Sequence, residues 1–262
     1  MKKLFALILA VLMLATCFTA CAQTDSSSDL QNIKNKGKII VGITDYAPMD
    51  YKDENGNWTG FDAEFATLFA KELGVEIEFF VISDWGKKFV ELSDKNIDAV
   101  WNGMTITEEA TLNSSVSNPY VLNKQVLVMK ADKIANYTDA ASLKDLIIAV
   151  ENGSAGQSAA EGVEPKQIIP VQDQAAALLE VKAGTSDACI IDSTMAQAMT
   201  GEGSDYAELA AGLILTNEEY GVAFRKDSDL TAKFNDFMKK LRQDGTLQAL
   251  AEKYKLVLAD EK

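Results

Sequence analysis

The sequence predicts an α/β protein of two lobes, each built on a mostly parallel sheet with helices on its faces. Short apolar runs alternate with segments of helical periodicity, which is the pattern of an open sheet flanked by helices. The alternation occurs twice, and no long Pro- or Gly-rich linker separates the two halves. Two strand-like segments connect the halves instead, so we expect the chain to leave the first lobe, build the second and return.

The first half of the chain carries the clearest local signals. Phe61, Phe65 and Phe69 recur at helical spacing, and Gly74 supplies a stop, which together predict a helix. The pair Asn55-Gly56 is a strong hairpin-turn signal just before this helix. In chain order we predict a strand at 38–44, a hairpin turn at 55–56, a helix at 61–74, a strand at 75–82, a helix at 85–96 and a strand at 97–103.

The second half repeats the alternation and then returns to the first lobe. We predict strands at 125–130, 146–154, 187–193, 212–216 and 220–226, and helices at 175–185, 194–200, 229–245 and 246–255. We assign 38–121 and 222–262 to lobe 1, 127–217 to lobe 2, and 122–126 and 218–221 to a hinge of two crossings. Ligands of such folds bind at the carboxyl ends of strands, here in the cleft between the lobes.

The N-terminus carries targeting information. Residues 1–20 have a basic start and an apolar core too short to span a bilayer, which is typical of an export signal peptide. Small residues precede Cys21 in a pattern that resembles the lipobox of bacterial lipoproteins, although Phe18 stands where leucine is usual. Cys21 is therefore the predicted lipid-attachment residue, and 21–37 a flexible tether. The alternatives are attachment at Cys17, where Thr16 is a less suitable residue before the cleavage site, and a plain secreted protein with Cys21 discarded or idle.

Composition narrows the function classes. The chain carries 39 acidic and 25 basic residues, a net charge of −14 that repels phosphate backbones, so we expect no nucleic-acid partner. It has no histidine, the commonest general base and zinc ligand. Glu108 and Glu109 are adjacent, so a helix would point them roughly 100° apart. We therefore expect no metal, no cofactor and no catalysis.

Six segments, in a fixed order, carry motifs of one protein family. They are the hairpin and GFDAE at 46–64, NIDAVWNGMTIT at 96–107, SNPY at 117–120, KAGTSDACIIDS at 182–193, YGVAFRKDS at 220–228 and LRQDGTLQALAEKY at 241–254. Together they resemble the extracellular solute-binding proteins of family 3, the polar amino-acid receptors of ABC importers. The similarity covers 38–256. It implies a type II periplasmic-binding fold, a small-molecule ligand and a permease partner, and we expect a monomer.

The resemblance also implies ligand-binding positions in the first lobe. In the family an aromatic at the position of Tyr46 packs on the ligand, and a side-chain wall stands at Trp85. A polar strand end binds the ligand's amino and carboxylate groups, and here it comprises Asn102, Gly103, Met104 and Thr105. Alternatives remain open: Tyr46 could be a buried hairpin aromatic and Trp85 a core residue at a helix start, and Thr105 with Glu108 has the spacing of a helix capping box.

The second lobe offers a small-residue loop and one acid. Gly153, Ser154, Ala155 and Gly156 match the family loop whose N–H groups hold the ligand carboxylate, although a plain turn would use the same residues. Asp192 matches the carboxylate that pairs with the ligand's α-ammonium. Its alternative role is the N-cap of the following helix.

One position departs from the family pattern. The family arginine that binds the ligand α-carboxylate would stand at Ala110, and the chain's two arginines, Arg225 and Arg242, lie elsewhere. Three explanations remain open. Helix-start amides and the 153–156 loop hold the carboxylate alone, a lysine such as Lys124 reaches in, or the ligand is not a standard α-amino acid.

The sequence therefore favours the substrate-binding receptor of an ABC importer. It would capture an amino acid or a related small zwitterion between the lobes and deliver it to a membrane permease. The lipid at Cys21 would hold it on the outer face of the cell membrane. Two alternatives are a ligand-sensing module for a membrane signalling partner and an elimination-type enzyme on the same fold.

Overall fold

The computed structural model describes residues 28–261 and has two lobes, each built around a five-stranded sheet. The predicted two-lobed α/β architecture is confirmed. The predicted signal peptide at 1–20 and the candidate lipid attachment at Cys21 lie outside the described residues. Within the described residues, no helix is long and apolar enough to cross a membrane.

The helices and strands follow the predicted alternation. Before the first crossing, lobe 1 contains α1 (Asp29–Lys36), β1 (Lys38–Ile43), β2 (Tyr51–Lys52), β3 (Trp58–Thr59), α2 (Phe61–Leu73), β4 (Glu76–Val81), α3 (Lys88–Ser93), β5 (Ala99–Val100), α4 (Glu108–Asn113) and β6 (Ser115–Val116). The middle of the chain forms β7 (Val121–Lys130), β8 (Ile147–Glu151), α5 (Ala155–Val163), β9 (Gln167–Val171), α6 (Gln174–Ala183), β10 (Ala188–Asp192), α7 (Ser193–Met199) and β11 (Leu209–Tyr220). The return to lobe 1 adds β12 (Ala223–Phe224), α8 (Leu230–Gln243) and α9 (Thr246–Lys253).

Both sheets are mixed, which corrects the prediction of mostly parallel sheets. The strand order is β4-β1-β5-β12-β6 in lobe 1 and β11-β7-β10-β8-β9 in lobe 2. In lobe 1, β1 runs parallel to β4 and β5, whereas β12 runs antiparallel to β5 and β6. In lobe 2, β8 runs parallel to β9 and β10, whereas β7 runs antiparallel to β10 and β11. The antiparallel pairings arise because the chain enters and leaves the second lobe in opposite directions.

The two crossings form one antiparallel ribbon. Strands β7 and β11 pair from Val121 opposite Tyr220 to Lys130 opposite Leu209, with irregular register between Ala211 and Thr216. The ribbon starts against lobe 1, where Val121 also bridges Leu258. Most of the predicted hinge residues lie within this ribbon.

Two elements of the second lobe are absent from the predicted set. Helix α5 is short, and Val163 is its one large apolar side chain among small and polar residues, so its sequence signal is weak. Strand β9 contains Pro170, which lowers its strand signal and is tolerated because β9 is the edge of its sheet.

The predicted tether at 21–37 is wrong for its last part, which forms helix α1. Ser28 caps this helix by accepting a hydrogen bond from the amide of Gln31. Ile33 is fully buried in the lobe 1 core, and Asp29 pairs with Arg225 at 2.9 Å. Helix α1 is therefore part of the folded lobe.

An aromatic cluster centres the lobe 1 core. Trp101 is fully buried, with its ring 5.1 Å from that of Phe65 and 4.9 Å from that of Phe234, in edge-on contacts. Because Trp101 directly follows β5 and leads into residues 102–105, this packing fixes the strand end that faces the second lobe.

Candidate functional site

A cavity of about 310 Å³ lies between the two lobes, at the carboxyl ends of the central strands. Its size is that of a small-molecule site. Nine of the eleven predicted ligand-binding residues line it: Trp85, Asn102, Gly103, Met104, Thr105, Gly153, Ser154, Ala155 and Asp192. They come from both lobes, so the cavity exists because the two lobes face each other.

Tyr46 and Gly156 do not line the cavity in this conformation. Tyr46 is 2% exposed, and its hydroxyl lies 2.5 Å from Thr194 Oγ1 and 2.6 Å from the hydroxyl of Tyr220. A Cβ on Gly156 would stand 2.7 Å from the carbonyl oxygen of Ile190. That glycine therefore allows helix α5 to approach strand β10 closely.

The strand end of lobe 1 is held by side chains behind the cavity. Asn102 accepts from the amide of Thr44 at 2.8 Å and donates to the Thr44 hydroxyl at 2.7 Å. The amide of Gly103 donates to the buried carboxylate of Asp62 at 2.6 Å. Gly103 has a φ of 56°, and a Cβ there would stand 2.6 Å from the ring of Tyr46. Residue 103 must therefore be glycine for the strand end to turn into the cavity.

The alternative role of Thr105 in a capping box with Glu108 is not the one the structure shows. Helix α4 is capped by Thr107, whose hydroxyl accepts from the amide of Ala110 at 3.1 Å. Thr105 instead pairs with Tyr220 in an isolated β-bridge, and its hydroxyl donates to Glu218 at 3.0 Å. The hydroxyl of Thr105 is thus free of the capping role that competed with ligand binding.

In lobe 2 the loop after β8 ends at a capped helix N-terminus. Ser154 is the N-cap of α5 and accepts from the amide of Gln157 at 3.1 Å. The side chain of Gln157 in turn accepts from the amide of Gly153 at 2.8 Å. This arrangement leaves the first-turn amide of Ala155, which lines the cavity, as a candidate donor to an anion.

Asp192 stands at the N-cap position of α7, but its side chain does not cap the helix. Its carboxylate accepts from the side-chain amides of Asn123, Gln125 and Gln174, with Gln125 at 2.7 Å. Burial raises the pKa of Asp192 to about 6, and the negative charge of Glu218 acts in the same direction. A cation in the cavity would favour the charged form of this carboxylate.

Seven further residues line the cavity and are absent from the predicted set: Lys88, Thr107, Glu108, Glu109, Glu151, Ser158 and Gln174. Lys88 follows Trp85 by three residues, which is the spacing of neighbours on one helix face. Glu151 ends strand β8, and a charged residue at the carboxyl end of a buried strand is the signal that could have found it. Burial raises the pKa of Glu151 well above its usual value, and Asp192 adds to the effect.

Contacts across the cleft show that the lobes meet. The side chain of Asn152 donates to Asp84 at 2.9 Å, and the ammonium of Lys88 donates to the carbonyl of Gly153 at 3.0 Å. A Cβ on Gly153 would stand 2.4 Å from the Cα of Gly86. The structure is therefore a closed conformation in which glycine at 153 permits direct backbone approach.

Sequence and structure comparisons agree on the family. The model of the bacterial extracellular solute-binding proteins, family 3, matches residues 39–257. The arginine-binding extracellular protein ArtP of Bacillus subtilis (strain 168) is 32% identical over 266 residues, covering 97% of this chain and 98% of ArtP.

Two solved structures show the same fold. A mutant of ArgBP from T. maritima has a TM-score of 0.81 at 31% identity, covering 86% of this chain and 98% of that chain. The ancestral amino acid-binding protein AncCDT-1, a precursor of cyclohexadienyl dehydratase, has a TM-score of 0.79 at 33% identity, covering 87% and 99%. With a family match over most of its length, a shared two-lobed fold and a cavity in the cleft, the chain belongs to the bacterial extracellular solute-binding proteins of family 3.

Proposed function

We propose that this protein is the receptor of an ABC importer and captures an amino acid or a related small zwitterion in the cavity between its lobes. The observation that carries the proposal is the cavity itself. One wall holds the buried carboxylate of Asp192, and the loop and first turn of α5 hold backbone amides. A carboxylate complements an ammonium group, and a helix N-terminus complements a carboxylate.

Family membership supports the amino-acid class of the ligand. ArtP is named for arginine binding, and AncCDT-1 is described as amino acid-binding. Binding, rather than catalysis, is the function we assign to the cavity. In this proposal the lobes close on the ligand by movement about the two crossings at 122–126 and 218–221.

Delivery to a permease and anchoring by lipid complete the proposal. Family membership supports an extracytoplasmic location and an ABC permease as partner. Deleting this chain should abolish cellular uptake of the amino acid it binds, and unchanged uptake would contradict the role in import.

Cys21→Ser should move the protein from the membrane fraction to the medium or periplasm, and continued membrane retention would contradict lipid attachment.

A thermal-shift screen tests the binding function. Residues 22–262 would be screened with the standard amino acids, cystine, amines and betaines. At a hundred times Kd a ligand adds about 2.7 kcal/mol to the free energy of unfolding, which is about 5–10 °C for a chain of this size. If no compound in these classes raises the melting temperature, the proposal is wrong.

A further inference from the structure

Lys88 places a buried ammonium group at the cavity, with no carboxylate within ion-pair distance. The residue is 5% exposed and lines the cavity. Its Nζ donates to the carbonyl of Gly153 at 3.0 Å and to that of Trp85 at 3.4 Å. Within residues 28–261, no Asp or Glu oxygen lies within 4.0 Å of this nitrogen, since none of the ion pairs found there involves Lys88.

These neighbours tolerate the positive charge but do not neutralise it. The ammonium lies 5.2 Å from the ring centre of Trp85 and 5.0 Å from that of Phe89, within cation–π range. An ammonium has three donors, and the two carbonyls use two of them. A buried charge is costly unless an opposite charge accompanies it. Glu109, Glu151 and Asp84 act on this ammonium electrostatically but form no ion pair with it. Its third donor is therefore open to an anion that arrives with the ligand.

The other basic candidates lie elsewhere. Arg225 is held by Asp29 and Asp98, and Arg242 donates to the carbonyl of Pro119. Lys124 is exposed on strand β7 and is not a lining residue, so the structure does not support the expectation that it reaches in. Among the described residues, Lys88 is the basic side chain that lines the cavity.

The contact with Gly153 places Lys88 beside the N-terminus of α5. Because its nitrogen bonds the carbonyl of Gly153, it lies next to the loop whose following amide, of Ala155, is a candidate anion donor. A carboxylate at this point could accept from an ammonium and from a backbone amide together. Asp192 lines the same cavity and remains available for the ligand's ammonium.

We propose that the ammonium of Lys88, together with the first-turn amide of Ala155, binds the ligand's carboxylate and replaces the arginine that is absent at Ala110. This inference rests on the proposed amino-acid receptor function. The rival role for Lys88 is structural: its bond to the Gly153 carbonyl would hold the lobes together whatever the ligand carries. If Lys88 binds the ligand's carboxylate, its loss should weaken ligands that carry a carboxylate and spare those that do not. If its role is structural, both kinds of ligand should be weakened alike.

The test compares matched ligands by isothermal titration. The probes are the standard amino acid or cystine that binds the wild type most tightly and the amine that remains after its decarboxylation, such as agmatine for arginine. Lys88→Met should weaken binding of the amino acid about 30-fold or more. It should change binding of the amine by no more than about threefold, because the amine makes no ion pair with Lys88.

Two further variants complete the design. Lys88→Arg keeps the charge and should recover most of the amino-acid affinity that Lys88→Met loses. Lys124→Met removes an exposed lysine and should leave both affinities unchanged. The ligand-free melting temperature of each variant, measured alongside, reports whether it folds. Lys88→Met should stay close to the wild type, because the relief of a buried charge offsets the loss of its two hydrogen bonds to carbonyls.

The outcomes separate the two proposals. If no amino acid binds the wild type, the receptor function itself fails. If the wild type binds but Lys88→Met weakens the amino acid and the amine equally, Lys88 is a structural contact and the inference is overturned. If the amine binds too weakly to be titrated, Lys88→Arg provides the test. An amino-acid affinity of Lys88→Arg no higher than that of Lys88→Met would overturn the inference.

Discussion

At the scale of single residues, Asp192 shows how surroundings decide a role. Its position before α7 would suit a helix cap, but three side-chain amides turn its carboxylate away from that task. Those amides satisfy the carboxylate without neutralising it, and burial raises its pKa to about 6. We therefore expect Asp192 to pair with a cation in a pH-dependent way.

The pH dependence follows from the direction of this shift. The pKa of the buried carboxyl lies above the value of about 3.9 for an unfolded Asp. Between roughly pH 4 and 6 the folded protein holds a proton that the unfolded chain releases, so this group lowers ligand-free stability as pH rises through that window. An ammonium ligand needs the charged carboxylate, so its affinity should be full above about pH 6 and fall up to about tenfold per unit below it.

Titrations between pH 7.5 and 4.5 check this expectation, using an amino acid whose side chain does not ionise in that range. Asp192→Asn is the matched control, because the amide keeps the shape and cannot titrate. Its weaker binding should depend less steeply on pH over the same range, with Glu151 as the remaining cavity carboxyl of raised pKa. Wild-type affinity that stays constant down to pH 4.5 would rule out Asp192 as the ammonium partner.

At the scale of elements, helix α1 shows how a segment taken for a tether belongs to the fold. Its Ser28 cap and its final Gly37 in the left-handed conformation are ordinary helix boundaries. One fully buried side chain, Ile33, attaches it to the lobe 1 core. A Ser-rich start and a single deeply buried residue leave little periodicity for a sequence pattern to detect.

Ile33→Ala tests this attachment. Removing a fully buried isoleucine side chain should lower the free energy of unfolding by about 2–5 kcal/mol. Lys34→Ala, at the neighbouring exposed position, is the control and should change it by less than about 0.5 kcal/mol. Urea denaturation measures both, and equal values near zero would mean that 29–36 behaves as the tether first expected.

At the scale of the whole molecule, closure depends on a glycine pair at the cleft. Gly153 has a φ of 70°, and a Cβ there would stand 2.4 Å from the Cα and 2.8 Å from the backbone nitrogen of Gly86. Backbone atoms cannot move aside as a flexible side chain can. The close approach of these two loops also brings Lys88 to the Gly153 carbonyl.

Gly153→Ala should therefore prevent full closure and weaken ligand binding about tenfold or more, because the binding-competent state becomes rare. Gly162→Ala is the matched control on helix α5, since a Cβ at residue 162 meets nothing within 4 Å. Small-angle scattering with and without the bound amino acid should show compaction for the wild type and for Gly162→Ala. Equal compaction of Gly153→Ala would contradict a steric role for the glycine.

Much of the candidate site could be predicted from the sequence. The polar strand end at 102–105, the loop at 153–156 and Asp192 each follow a strand signal and match a family motif, so their common edge could be inferred. Lys88 and Glu151 were missed because no motif includes them. A lysine at a helix start and a glutamate at the end of a strand are both common. Only the contacts of the folded chain distinguish Lys88 and Glu151 from other residues of the same type.

The sequence by itself determined the two-lobed α/β class, the order of its main elements and most positions that line the cleft. These follow from local periodicity and from segments that resemble one family, and both act within a short stretch of chain. The tertiary structure decided the direction of the returning strands, the capping of α4 by Thr107 and the burial of Tyr46. It also decided that Lys88, rather than Lys124, enters the cavity. Each of these depends on contacts between residues distant in sequence or on exposure in the folded chain, which no local pattern encodes.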